Sequence, residues 1–380
     1  MRIFMTAGEP SGDALGAALI DGLKAQVPGI EFRGIAGPRM MAAGMESLFP
    51  MEELSVMGIA EVLPKYFHLK RRIKETSEAA LAWSPDAVVT IDSPDFSLRV
   101  AALVKARSAL RTVHYVAPTV WAWRPERAGR MARVIDHVLA LFPFEPPYME
   151  AAGMACDFVG HPVAALPRVT TAESAAFLAH HGLSEPPVVL LPGSRRSEVT
   201  RLMPRFAEAL SLSSLRDRPV ILPTLPHLAQ AVSELSNDLP TPPVVLSGQG
   251  QSAQDAAEER RVALAAGSLA LAASGTISLE LAQARTPMVI AYDMNWLTRQ
   301  IVKHKLLIDT VTLVNLVSDT RTVPEFVGAG CVPSAIAKGL DALAADPSGQ
   351  LEAMDLTLAR LGEGGADPGH RAAQAILSRL

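Results

Sequence analysis

Two short loops carry the residues best suited to chemistry. Pro192-Gly193-Ser194-Arg195-Arg196-Ser197 follows the apolar run Val188–Leu191 and precedes a helical pattern from Glu198. Ala273-Ser274-Gly275-Thr276 follows the apolar run Leu269–Ala272 in the same way. A strand that turns tightly into a helix start presents N–H groups and the positive end of a dipole to an anion. Arginine adds a planar fork that matches phosphate. Gly193, Ser194 and Arg195, with Ser274, Gly275 and Thr276, read as a diphosphate site; the alternative for the first loop is a solvated turn with two surface arginines. Glu280 lies one turn into the helix after the second loop. It is placed to accept hydrogen bonds from a ribose; the alternative is a first-turn glutamate favoured by the helix dipole.

A different chemistry is offered by Asp92, at the end of the run Ala87–Ile91. A carboxylate at a strand end can act as a general base if its surroundings raise its pKa. The alternative is a helix cap, a role that Asp95 fits better. Gly8-Glu9-Pro10-Ser11-Gly12-Asp13 follows the run Arg2–Ala7. Its glycines allow close approach of a ligand to the backbone or simply a tight turn, and the dinucleotide pattern GxGxxG is absent. The loop Ala117–Arg124 holds Trp121, Trp123 and Arg124. His161 reads as a hinge residue. No HExxH, CxxC, GxxxxGK[ST] or GxSxG occurs, so the sequence gives no support to zinc hydrolysis, P-loop chemistry or an α/β-hydrolase elbow.

These loops need strands behind them. Near-continuous apolar runs at Arg2–Ala7, Phe32–Ala36, Ala87–Ile91, Thr112–Val116, Val138–Phe142 and Phe158-Val159 alternate with helical patterns. The alternation stops at Gly160–Thr170, a linker with two prolines, and restarts at Val188–Leu191, Val220–Pro223, Val244–Leu246, Leu269–Ala272 and Met288–Ala291. Such strands belong to parallel sheets covered on both faces. Ligands in these sheets bind beyond the carboxyl ends of the strands, and those ends are the loops named above. The reading is α/β, with domains over 1–165 and 170–350 facing a central cleft and a C-terminal helical segment, 351–380, that packs back on the first domain or on a partner subunit.

Composition sets outer limits. At 380 residues and 49% hydrophobic, the chain can form two cores and is no candidate for disorder. The first 168 residues are balanced in charge, so the net charge of −4 falls on the rest. No nucleic-acid partner is implied. Two distant cysteines, Cys156 and Cys331, suggest neither a disulfide framework nor a metal site. The N-terminus lacks the pattern of a signal peptide and no apolar run reaches membrane length, so a cytoplasmic protein is expected.

Taken together the motifs are more specific than any one of them. GEPSGDALGA (Gly8–Ala17), AGPRM (Ala36–Met40), VMGIAEVL (Val56–Leu63), IDSPDF (Ile91–Phe96), HYVAPTVWAWR (His114–Arg124), PFEPPY (Pro143–Tyr148), FVGHP (Phe158–Pro162), LLPGSRRSEV (Leu190–Val199), ASGTISLE (Ala273–Glu280) and PMVIAY (Pro287–Tyr292) occur in order along the chain. In this it resembles the lipid-A-disaccharide synthases, the inverting glycosyltransferases of lipid A assembly. The resemblance implies the GT-B fold, two Rossmann-like domains with the acceptor on the first and the donor on the second. It implies transfer of 2,3-diacylglucosamine from UDP-2,3-diacylglucosamine to 2,3-diacylglucosamine 1-phosphate, giving the β-1,6-linked disaccharide phosphate and UDP. It places the base at Asp92 and donor-side positions at Arg195, Glu280 and Asn315. Two departures stand out. The family usually carries Gln near the segment that here reads Glu325-Phe326-Val327-Gly328, and Tyr292-Asp293 replaces the commoner Tyr-Arg.

Neither metal nor cofactor is expected, since no carboxylate cluster suggests one. The loops Gly8, Ser11, Gly12, Asp13 and Trp121, Trp123, Arg124 are assigned to the acceptor side. Acylated substrates imply peripheral association with the inner membrane, and a homodimer is compatible with the C-terminal segment. At helical spacing Val62, Tyr66, Leu69 and Ile73 form a stripe expected to pack on the core. Leu63, Phe67, Lys70 and Lys74 lie on another side and suit insertion at a headgroup boundary; the alternative is a solvated basic face with Phe67 in a local core. Two competing functions share the fold pattern: a bilobal protein that binds nucleotide-sugar without chemistry, and a UDP-GlcNAc 2-epimerase.

Overall fold

A computed structural model of the chain describes residues 1–54, 59–294 and 306–380, with the backbone alone for 59–65. Leu63 therefore lies outside the described side chains. The chain divides into two compact units, Met1–Ala165 with Leu361–Leu380, and Leu166–Arg360.

The first unit is built on seven parallel strands: β1 (Arg2–Ala7), β2 (Glu31–Ile35), β3 (Glu46–Ser47), β4 (Ala87–Ile91), β5 (Arg111–Tyr115), β6 (His137–Ala140) and β7 (Ala155–Phe158). Their order across the sheet is β3-β2-β1-β4-β5-β6-β7. The chain first winds one way from β1 and then returns to its other side at β4. The loops after β1 and β4 therefore part at the reversal, where doubly wound sheets bind ligands. Register pairs Ala7 with Ile91, so Gly8-Glu9 leaves the sheet beside Asp92-Ser93. The central strands are sealed on both faces, and every residue of β4 and β6 is buried.

Helix Pro10–Gln26 follows β1, with proline in its first turn, where a missing N–H costs nothing. It packs against helix Pro368–Leu377 from the end of the chain. The contact is made by backbone. A Cβ on Gly22 would lie 2.5 Å from the Gly369 carbonyl oxygen, and one on Gly369 would collide with the Ala18 carbonyl. Arg379 adds two hydrogen bonds to Asp157, at 2.6 and 3.0 Å.

The second unit repeats the plan with β8 (Val188–Leu191), β9 (Val220–Pro223), β10 (Val244–Leu246), β11 (Leu269–Ala272), β12 (Met288–Tyr292) and β13 (Glu325–Val327). The order is β10-β9-β8-β11-β12-β13, all pairs parallel. Its reversal falls between β8 and β11, the two strands that carry the glycine loops. Leu190, Phe206, Leu222, Leu271, Val289 and Leu340 belong to one continuous core.

Helix Ile59–Trp83 differs from expectation near its start. Ile73 is buried as the stripe requires, but Tyr66, assigned to the same stripe, is 45% exposed; Phe67, assigned to the outward side, is 79% exposed and belongs to no local core. Their rings meet edge to face at 5.6 Å. The helix is held instead by Arg72, which donates from Nε and Nη2 to Glu53 at 2.8 and 2.7 Å and stacks over Phe49 at 4.1 Å.

Candidate functional site

The loops after β8 and β11 line one cavity of about 430 Å³, together with Glu198, Thr224, Arg260 and Glu280. Gly193, Ser194, Arg195, Ser274, Gly275, Thr276 and Glu280 all line it. Gly193 (φ +118°) and Gly275 (φ +154°) have backbone angles that L side chains rarely adopt. Nothing lies within 4 Å of a Cβ built on Gly275, so that loop keeps open space before it. Among the described residues, the N–H groups of Gly275, Thr276 and Ile277 have no hydrogen-bond partner. The Ser274 hydroxyl does, donating to the Val311 carbonyl at 3.1 Å.

One expectation needs correcting here. The N–H groups of Ser194 and Arg195 are not free for an anion, because both donate to Glu198 Oε2, at 3.0 and 3.2 Å. A carboxylate three and four residues ahead already fills the concavity of the turn. What the loop does offer is the Arg195 side chain, 74% exposed on the cavity wall. Arg260, from helix Ala253–Ala266, pairs with the Glu280 carboxylate and adds a second guanidinium that sequence reasoning missed. No local motif marks it; only the fold brings it across to Glu280.

Asn315 does not line this cavity. It is 1% exposed and committed to its own surroundings. Its amide nitrogen donates to Val323 O at 3.0 Å and to Thr310 Oγ1 and Glu325 Oε1 at 3.3 Å, and its oxygen accepts from Val323 N–H at 3.0 Å. Glu325 accepts from the Thr310 hydroxyl and from the N–H groups of Val311 and Thr312, at 3.2 and 2.9 Å. It thus covers the start of helix Leu313–Ser318. Asp293 is buried and meets Arg205 Nη2 at 3.0 Å.

In the first unit Asp92 sits half-buried at the sheet reversal with φ +49°, followed by Ser93 at +44°. Val116, after β5, has φ +84°. Left-handed backbone in three non-glycine residues at adjacent strand ends is costly and collects at functional sites. The backbone of Asp92 is clamped, its N–H donating to Tyr115 O at 3.0 Å and its carbonyl accepting from Ser97 Oγ at 2.7 Å. Glu9 lies in the facing loop, and its pKa is raised, first by desolvation and then by the charge of Asp92. A Cβ on Gly8 would come within 2.6 Å of Ser93 Oγ, which explains the glycine. Ser11 is exposed and Gly12 packs on β1 and β4.

Asp13 does not join this group. It is buried, and its carboxylate accepts from the N–H groups of Arg39 and Met40 at 2.9 and 3.0 Å, capping helix Pro38–Ala42. Trp121 is likewise withdrawn, buried with its indole N–H donating to Glu145 at 3.2 Å and its ring against Phe144 at 5.1 Å. Trp123 remains exposed, with the Arg124 guanidinium 4.3 Å over its ring. Glu145 went unnoticed in the sequence. It is 2% exposed, and Oε2 accepts from the N–H groups of Leu141 and Phe142 at 3.1 and 3.0 Å. Burial pushes its pKa up to about 7 against these bonds.

Two doubly wound parallel-sheet units, each with its strand-end loops parting at a reversal, define the GT-B fold. Among solved structures the chain is similar in fold to the UDP-GlcNAc 2-epimerase of Neisseria meningitidis bound to UDP-GlcNAc (TM-score 0.62, 13% identity, covering 100% of this chain and 99% of that one). It is similar also to MurG of Acinetobacter baumannii (TM-score 0.57, 13% identity, 99% of each). Residues 3–375 match the family model described as lipid-A-disaccharide synthetase. The lipid-A-disaccharide synthases of Ruegeria pomeroyi and Rhodospirillum centenum are 59% and 44% identical to it, each over 100% of this chain and over 96% and 94% of their own lengths. The chain belongs to the lipid-A-disaccharide synthase family. Among the described residues no helix is long and apolar enough to cross a membrane.

Proposed function

We propose that the cavity at the β8/β11 reversal holds the UDP of the donor, and that Asp92 takes the proton of the acceptor hydroxyl. The reaction is transfer of 2,3-diacylglucosamine from UDP-2,3-diacylglucosamine to 2,3-diacylglucosamine 1-phosphate, by one inverting displacement. The observation that carries the donor assignment is the convergence of Arg195, Arg260, Glu280 and the Ser274–Thr276 loop on one cavity. Positive charge is needed where UDP departs. We assign that role to the two guanidinium groups and the unpartnered N–H groups of the loop, rather than to a metal ion. Glu280, already hydrogen-bonded by Arg260, has a second carboxylate oxygen for the ribose.

Two measurements test this reading. Release of UDP from UDP-diacylglucosamine should depend on the acyl acceptor; release or epimerisation without acceptor would overturn transfer. Glu280→Ala should weaken UDP binding by roughly 1–3 kcal/mol, the range for a lost polar partner. Unchanged affinity by calorimetry would remove Glu280 from the site.

We also assign the start of helix Ile59–Trp83 to contact with the bilayer that holds the acyl chains. Phe67 and Tyr66 stand out of the fold, and Lys70, Arg71 and Lys74 are exposed beside them. Lys74 lies 3.7 Å from Glu78, so the charge on offer is chiefly Lys70 and Arg71. A basic residue at an anionic surface contributes about 1 kcal/mol. The variant carrying Lys70→Glu and Phe67→Ser should therefore sediment with anionic liposomes several-fold less, keep its melting temperature, and show a higher KM for acylated acceptor. Undiminished sedimentation would place the membrane contact elsewhere.

A further inference from the structure

Glu198 has more partners than a helix cap needs. As the third residue of helix Arg196–Leu212 it reaches back to the N–H of Arg195, the ordinary capping-box contact. It also takes the N–H of Ser194 at 3.0 Å. Its other oxygen accepts from the Tyr292 hydroxyl at 3.2 Å and lies 3.5 Å from Arg195 Nη1. The loop is shaped to this carboxylate, since a Cβ on Gly193 would lie 2.5 Å from Glu198 Oε2 and 2.6 Å from its Cβ. Tyr292 ends β12, and its neighbour Asp293 meets Arg205 one side of the same helix further on. The end of β12 thus grips helix Arg196–Leu212 at two points.

We infer that Glu198, held by Tyr292, is a positioning residue that keeps the Gly193–Arg195 turn folded on itself and the Arg195 side chain on the cavity wall before the donor arrives. The inference rests on the reading of this cavity as the UDP site. It assigns the turn to the placement of one guanidinium, with its own N–H groups already spent. A preset arginine binds a diphosphate without first ordering its backbone, which preserves affinity.

The test is UDP calorimetry with melting temperatures and steady-state kinetics on five single variants. Glu198→Ala should weaken UDP binding about tenfold, as for loss of a charged hydrogen-bonding group, and raise the donor KM by a similar factor while kcat moves little. Glu198→Gln keeps an acceptor for both N–H groups and should restore most of the affinity. Tyr292→Phe leaves the cap intact, yet should weaken UDP binding by about threefold, the effect of one neutral hydrogen bond. If Glu198→Ala and Tyr292→Phe bind UDP as the wild type does and only melting temperature falls, Glu198 is a cap alone. If Glu198→Ala binds UDP more tightly, the carboxylate competes with the diphosphate and the inference is wrong. Arg195→Ala is the control. Normal UDP binding in that variant and in Glu280→Ala would sink the donor-site reading itself, whereas weakened binding there with none in Glu198→Ala would sink the positioning role alone.

Discussion

Replacing Asp92 with asparagine is expected to slow turnover by roughly 100- to 10,000-fold, the usual worth of general-base catalysis. In a single displacement the acceptor hydroxyl must lose its proton as it attacks, and the amide cannot take it. The backbone argues that the variant folds. Asp92 is left-handed, at φ +49°, and asparagine enters that region as readily as any residue with a Cβ. The bonds that clamp Asp92 use its N–H and carbonyl, which the substitution leaves in place. Turnover measured at saturating substrates, with UDP affinity as a control on the second unit, reads the effect. Near-normal turnover would remove Asp92 from the role, with Glu9 across the reversal and exposed Asp95 the next carboxylates to replace.

The second large effect concerns pH and stability. Glu145 carries a pKa raised from 4.5 to about 7 by burial. The folded state therefore holds a proton that the unfolded state has lost between those values. Stability falls as pH rises from about 4.5 to about 7 and stays lowered above that. At 1.36 kcal/mol per unit the change amounts to about 3 kcal/mol. Glu145→Gln should abolish this slope. The amide oxygen can still accept from Leu141 and Phe142, while the amide nitrogen faces the Trp121 N–H and adds a cost that does not vary with pH. Denaturant unfolding followed by tryptophan fluorescence is the measurement, since Trp83, Trp121 and Trp123 all belong to the first unit. A wild type with flat stability over this window, or a variant with the same slope, would show that Glu145 is ionised in the fold at little cost.

The strands most legible in the sequence are the buried ones. Arg2–Ala7, Ala87–Ile91, Val188–Leu191, Val220–Pro223 and Leu269–Ala272 have the same bounds in sequence and structure, as does the apolar but half-buried edge strand Val244–Leu246. A parallel strand covered on both faces is written as an apolar run, and turn residues mark where it ends. Glu46–Ser47 and Glu325–Val327 escaped notice because they are short edge strands with polar residues. Helices Pro10–Gln26 and Pro94–Lys105 each begin on a proline. In the site, glycine and arginine announced the loops, since their chemistry is local. Glu198, Arg260, Asn315 and Asp13 could not be read in the same way. What each does depends on partners that the fold brings from elsewhere, such as Glu280 for Arg260 and the Arg39 N–H for Asp13. A carboxylate's type says that it will find donors; it does not say which.

The contact between Gly22 and Gly369 has a consequence for the order in which the chain matures. Residues 166–360 form a unit from one uninterrupted stretch, and can close as soon as they leave the ribosome. The first unit cannot. Helix Pro10–Gln26 is made early, yet the helix that covers it, Pro368–Leu377, is made after the whole of the second unit. Until then the surface around Ala18 and Gly22 waits uncovered, and the half of the protein synthesised first is the half completed last.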